Sequence, residues 1–128
     1  MNRITELLGI YHADGGVVGE AKYVIGKMLG TAHCALCDIT HSPVRRKPAW
    51  DAMVARIGVP FTLLHLNELS EDVAGVVAEA GSPVVLQRTA DGMSVLLGSE
   101  TLETLGGSVD AFEHALRTYA GDRLRPAS

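Results

Sequence analysis

The sequence lacks any apolar run of the roughly 20 residues that a helix needs to cross a bilayer. Its first residues, 1–6, also lack the apolar core and small-residue cleavage site of a signal peptide. Neither sign of charge dominates, since 15 acidic and 11 basic residues give a net charge of -4. That balance argues against a nucleic acid or an anionic membrane as partner. We therefore expect a cytoplasmic protein whose cysteines are reduced at rest.

Motifs that would name a reaction are missing as well. Gly15, Gly16 and Gly19 match neither of the common phosphate-binding patterns, so the sequence carries no nucleotide or flavin signal. Ser42 has no evident base with an orienting acid, which leaves a hydrolase triad unsupported. The only dense basic stretch, residues 45–47, is short and typical of a solvated surface.

The composition is that of a globular protein, with 47% apolar and 20% charged residues. A chain of 128 residues is long enough to bury a core without disulfides. No internal repeat, linker or low-complexity block divides it. We expect one domain over residues 1–121, followed by a flexible polar tail over residues 122–128.

Hydrophobic periodicity predicts strands and helices in alternation. The predicted strands span residues 7–13, 34–40, 61–66, 84–88 and 93–97. The predicted helices span residues 18–29, 48–57 and 70–80, and a last helix begins near Ser108. The order β-α-β-α-β-α-β-β-α indicates an α/β fold with parallel strands first and an antiparallel hairpin at the end.

This order resembles the thioredoxin fold across almost the whole chain. Ser82-Pro83, just before the fourth strand, looks like the cis-proline position of that superfamily, and Asp91-Gly92 looks like the turn of its final hairpin. The resemblance implies a mixed sheet flanked by helices. A flavodoxin-like fold is the alternative, but it needs a fifth parallel strand where this chain has a hairpin.

The resemblance also implies a redox Cys-x-x-Cys motif at the start of the helix after the second strand. The matching place in this chain, Ser42 to Pro48, contains no cysteine. The Cys34-Ala-Leu-Cys37 motif comes earlier, inside the predicted second strand. The redox residues of the superfamily therefore do not carry over by position.

Both cysteines lie between His33 and His41. In an extended strand, Cys34 and Cys37 face opposite sides about 10 Å apart, and they can neither bridge nor share a metal ion. A turn over the same residues would bring the two sulfurs together, with two imidazoles alongside. Mixed cysteine and histidine sets favour zinc or copper.

Asp38 stands out in the same predicted strand, because a buried carboxylate is costly unless it is paired or hydrogen-bonded. It could bind a neighbouring backbone or Thr62. The alternative is a role in proton transfer or as a metal ligand.

A second candidate site lies at the carboxyl ends of the predicted parallel strands, where open α/β sheets bind their ligands. Three of these strands end in or near a histidine: His12, His41 and His65. Asp14 follows the first strand, and the Ser82-Pro83 corner should lie nearby. Imidazoles beside a carboxylate can bind a divalent metal or act as general acid and base.

Three functions are compatible with these residues. The first is binding of a soft metal ion, zinc or copper, by ligands from Cys34, Cys37, His41, His33 and His12. The second is thiol–disulfide exchange by the two cysteines, which requires them to lie in a turn. The third is a non-catalytic thioredoxin-like module that binds a protein partner or assembles with itself. Metal binding ranks first because cysteine and histidine are concentrated in one stretch.

Overall fold

The computed structural model describes residues 3–12, 35–40 and 46–124 of the chain. These residues form four strands: β1 (Glu6–Ile10), β2 (Phe61–Leu64), β3 (Val84–Thr89) and β4 (Gly92–Leu97). They also form five α-helices: α1 (Ala35–Thr40), α2 (Pro48–Ile57), α3 (Glu71–Ala80), α4 (Ser99–Glu103) and α5 (Val109–Ala120). Two short 3-10 helices follow β2 and α5: Leu66–Glu68 and Gly121–Leu124.

The four strands form one mixed sheet in the order β2-β1-β3-β4. Leu8 of β1 lies opposite Thr62 in the parallel pair with β2, and opposite Leu86 in the antiparallel pair with β3. β3 and β4 pair antiparallel as the closing hairpin. The predicted α/β class and the closing hairpin are confirmed, and the parallel pair joins the first and third of the predicted strands. We call the end of the sheet where Tyr11, His65 and Ser82 lie its upper end.

The predicted strand over residues 34–40 is wrong, because Ala35–Thr40 is a helix. Five of its six residues are buried. A short apolar run is compatible with a buried strand and with a buried helix, so periodicity alone could not distinguish the two. The predicted helix over residues 18–29 lies outside the described residues.

The other helix predictions are confirmed. α2 begins at Pro48, which suits the first turn of a helix because it has no backbone N–H to satisfy. It ends before Gly58, whose φ of 74° is a left-handed conformation that favours glycine. Ser108 caps α5, where its hydroxyl accepts a hydrogen bond from the Ala111 N–H.

The tail predicted to be loose from residue 122 starts with an ordered turn. Leu124 is 5% exposed and belongs to the core, and the Arg123 guanidinium donates a hydrogen bond to Gln87 Oε1. Residues 125–128 lie outside the described part of the chain. Across the described residues, no helix combines the length and apolar character that crossing a membrane requires.

Helices pack on both faces of the sheet, and more of them pack on one face than on the other. On one face, called here the α1 face, α1, α2 and α5 pack together around three rings: Trp50, Phe61 and Phe112. The Trp50 ring centroid lies 5.0 Å from that of Phe61 and 5.1 Å from that of Phe112. On the opposite face, the α3 face, the buried side chains that α3 contributes are Val73 and Val77.

Gly9 lets α1 pack directly against the centre of the sheet. A Cβ atom at this position would lie 2.8 Å from Leu63 Cδ2, 3.1 Å from Phe61 and 3.2 Å from Leu36 Cδ2. Contacts this short require the neighbours to move. The missing side chain of Gly9 is therefore what allows Leu36 of α1 to approach β1.

Candidate functional site

Cys37 lies in the first turn of α1 and takes part in a disulfide bond. Its side chain is buried, with 7% of the residue exposed. Cys34, the only other cysteine in the sequence, lies outside the described residues.

The helical conformation of residues 35–40 removes the strand on which the objection to pairing Cys34 with Cys37 rested. Residues three apart in a strand are separated by about 10 Å and face opposite sides. On a helix, residues three apart lie on one face, with Cβ atoms about 5–6 Å apart. Because residues 35–40 are helical, the strand-based placement of the two cysteines on opposite faces has lost its basis.

A hydrogen bond joins α1 to the end of the central strand. The hydroxyl groups of Tyr11 and Thr40 lie 2.7 Å apart, and both residues are buried. The Thr40 hydroxyl donates to the Cys37 carbonyl oxygen at 3.4 Å, which makes Tyr11 the donor to Thr40. The backbone of Cys37 is thereby connected to β1 through two hydroxyl groups.

Lys47 satisfies carbonyl groups at the same, C-terminal end of α1. Its backbone N–H donates to the Thr40 carbonyl at 2.8 Å. Its ammonium group donates to the carbonyl oxygens of Asp38 and Gly107, each at 2.7 Å. The last carbonyl groups of a helix have no partner within the helix, so Lys47 supplies what α1 itself cannot.

These contacts change the interpretation of the basic stretch at residues 45–47. Arg46 forms an ion pair with Asp51 at 2.8 Å, and the ammonium of Lys47 is occupied by two carbonyl groups. Arg45 lies outside the described residues. Asp38 is half-buried on a helix, so the cost argued for a carboxylate inside a central strand does not apply.

The upper end of the sheet brings two of the predicted site residues into contact. His12 Nδ1 lies 2.8 Å from Ser82 Oγ, and the following Ser82–Pro83 peptide bond is cis. His65 lies beside Tyr11, with ring centroids 5.0 Å apart. This end of the sheet thus carries two imidazoles.

His65 also contacts an acid. Its Nδ1 lies 2.7 Å from Glu68 Oε1, which in addition accepts a hydrogen bond from the His65 backbone N–H. The backbone hydrogen bond, followed by the side-chain one, lowers the pKa of Glu68 below its usual value. Glu68 is therefore an ionised acceptor at neutral pH, and it orients the His65 ring.

Four of the predicted site residues lie outside the described part of the chain: Asp14, His33, Cys34 and His41. Three of these belong to the five proposed metal ligands. In the ranges that the structure describes, no three histidine, cysteine or acidic side chains come together as a metal site would require. The zinc or copper site stays a prediction.

Sequence reasoning missed three residues that hold the cysteine helix in place: Tyr11, Thr40 and Lys47. Tyr11 carried a usable signal, because a tyrosine at the end of a buried strand needs a partner for its hydroxyl. Lys47 carried none, since one of its carbonyl partners, Gly107, is 60 residues away in the sequence.

Comparison of the chain with models of known families, with curated proteins and with solved structures finds no match. Residue roles are therefore assigned from the chain's own geometry. In that geometry, Cys37 is buried and disulfide-bonded in the first turn of α1. Two residues outside the helix bind it: Tyr11 at the Thr40 hydroxyl and Lys47 at the Asp38 carbonyl.

Proposed function

We propose that the protein is a thiol–disulfide oxidoreductase in which Cys34 and Cys37 cycle between a dithiol and a disulfide. The disulfide bond of Cys37 in the first turn of α1 carries the proposal. In one cycle, the two thiols lose two electrons and two protons and form the disulfide. The disulfide of the substrate takes up both electrons and both protons and becomes two thiols.

The length of the closed loop favours a redox role over a structural one. A bond between Cys34 and Cys37 closes a loop of four residues. By the chain-entropy relation this stabilises the fold by about 2 kcal/mol, against about 4.7 kcal/mol for a 100-residue loop. Such a bond adds little stability to a domain that already has an aromatic core. Its reduction therefore costs correspondingly little stability.

The burial of Cys37 supports different roles for the two cysteines in this proposal. Cys37 is 7% exposed, so a protein substrate has no direct access to its sulfur. Cys34 is then the cysteine whose thiolate attacks the substrate disulfide and forms a mixed disulfide. Cys37 attacks Cys34 in the second step, closes the intramolecular bond and releases the reduced substrate.

The cellular setting that we propose is the cytoplasm, where glutathione and thioredoxin systems keep thiols reduced. The dithiol is then the resting form, and the disulfide forms when the protein reduces a substrate.

Equilibration of the full chain in glutathione buffers tests the proposal. After acid quenching and alkylation, mass spectrometry counts the free thiols at each ratio of reduced to oxidised glutathione. We expect a reversible two-electron transition between about -120 and -270 mV, the range of known dithiol oxidoreductases. A midpoint below about -300 mV would indicate a structural disulfide and contradict the proposal.

The same experiment separates thiol exchange from metal binding. Paired sulfurs with His33 and His41 would also suit zinc or copper. If the purified protein contains one zinc or copper ion per chain, and its thiols stay blocked in every glutathione buffer, the redox proposal is wrong. If both thiols are free, metal-free and unreactive, the remaining interpretation is a non-catalytic binding or assembly module.

A further inference from the structure

We infer that Lys47 is a positioning residue for this dithiol, an inference that rests on the proposed thiol–disulfide function. Its ammonium connects α1 to the turn at Gly106–Gly107 through two carbonyl oxygens, each at 2.7 Å. By holding α1 in helical form, Lys47 raises the tendency of Cys37 to form its disulfide. In this role Lys47 acts through the backbone of the helix.

Contacts from outside the helix stabilise α1, which is described over Ala35–Thr40. In proteins, most of the stability of a helix comes from tertiary contacts rather than from propensity. The buried side chains of α1 supply part of the stabilisation. Hydrogen bonds from Lys47 to the carbonyls of Asp38 and Thr40 supply another part, at groups that no residue of α1 can reach.

The Gly106–Gly107 turn, which accepts the second hydrogen bond of the Lys47 ammonium, allows the backbone of α1 to come close. Gly107 has a φ of 74°, and a Cβ atom there would lie 3.4 Å from the Asp38 carbonyl oxygen. A glycine in a left-handed conformation therefore lets the two backbones come within reach of one ammonium group. Ser108, the next residue, caps α5, so Lys47 connects the cysteine helix to the start of the longest helix described.

The helical state of α1 and the disulfide of Cys37 are linked. Residues three apart lie about 10 Å apart when extended and about 5–6 Å apart on a helix. A contact that stabilises the helix in the reduced protein therefore raises the effective concentration of one thiol at the other. Loss of the ammonium of Lys47 should lower that effective concentration.

Lys47→Met in the full chain tests this inference, because methionine keeps the length of the side chain and removes its donors. In glutathione buffers, we expect the effective concentration of the two thiols to fall about fivefold, since charge-assisted hydrogen bonds are among the stronger ones. Arg46→Met is the matched control. It removes the same charge one residue earlier, from an exposed ion pair with Asp51, and should stay within about 1.5-fold of the wild type.

Each outcome is decisive. An effective concentration for Lys47→Met that equals or exceeds the wild-type value, while both proteins still cycle, overturns the inference and leaves the proposed function intact. Equal drops in Lys47→Met and Arg46→Met would also overturn it, because charge alone would then explain the effect. A wild-type protein that forms no disulfide at any glutathione ratio overturns the proposed function itself.

A second variant covers the case in which Lys47→Met fails to fold, as judged by circular dichroism and Trp50 fluorescence. Lys47→Gln keeps a neutral donor that can reach one of the two carbonyl groups. It should show a smaller drop than fivefold but still fall below Arg46→Met. A value equal to that of the wild type would contradict the positioning role.

Discussion

The hydroxyl group of Tyr11, at the end of β1, lies 2.7 Å from that of Thr40, at the end of α1. Both residues are buried, Tyr11 at 3% and Thr40 at 0% exposure. The pair connects the residue that follows β1, an inner strand of the sheet, to the helix that carries Cys37.

Tyr11→Phe should lower the free energy of unfolding by about 1 kcal/mol, since it leaves the Thr40 hydroxyl without its buried donor. Urea denaturation of the oxidised protein measures the change. Tyr119→Phe is the matched control, because Tyr119 is 57% exposed and its variant should unfold as the wild type does. Equal midpoints for the two variants would show that the buried hydrogen bond contributes nothing.

Gly9→Ala should destabilise the protein by about 1–2 kcal/mol through overpacking. The added methyl group would lie 2.8 Å from Leu63 Cδ2 and 3.2 Å from Leu36 Cδ2, so both side chains must move. Thermal unfolding followed by circular dichroism checks this. As the control, Gly75→Ala places a methyl group in open space on α3 and should be neutral or stabilising by up to about 1 kcal/mol. A neutral Gly9→Ala would mean that α1 does not pack as closely on β1 as described.

Glu113→Gln should lower the stability of the protein at pH 7 and leave it unchanged in acid. Glu113 accepts hydrogen bonds from Arg56 of α2 at 2.7 Å and from Arg117 of α5 at 2.9 Å. The Arg56 hydrogen bond is the main cause that holds the pKa of Glu113 below its usual value of 4.5. Because the folded pKa is depressed, the stabilisation is present above pH 4.5 and is lost as the pH falls through the folded pKa.

The loss of this stabilisation is measured by the urea midpoints of the wild type and Glu113→Gln from pH 7 down to pH 2. The two curves should converge at the acid end. Glu79→Gln, at an exposed position of α3, is the control and should track the wild type over the whole range. A gap between Glu113→Gln and wild type that persists at pH 2 would point to lost packing rather than lost charge.

The predictions that succeeded rest on local chemistry. Pro48 and Gly58 bound α2, and Ser108 caps α5, because each acts within a few residues of its own position. Ser70 shows the limit of such signals. It lies at the cap position of α3 as predicted, but its hydroxyl donates to the Asp72 carboxylate and makes no capping bond to the helix backbone.

The cysteine helix could not be predicted because its conformation is decided by distant residues. Ala35 to Thr40 is apolar enough for a buried strand or a buried helix. The contacts that select the helix come from Tyr11, Lys47 and Gly107, which the sequence gives no reason to place together. The strand interpretation of these residues would have placed the two cysteines on opposite faces, and only the alternative of a turn brought them together.

The unequal covering of the two sheet faces has a consequence for motion. α3 is held to its face by two buried side chains, Val73 and Val77, whereas α1 lies in the larger cluster on the other side. Elements with few buried contacts open locally before the whole domain unfolds. Amide hydrogens of α3 should therefore exchange with solvent earlier than those of Leu36 and Ile39. The cysteine helix is thus expected to keep its geometry while the opposite face opens and closes.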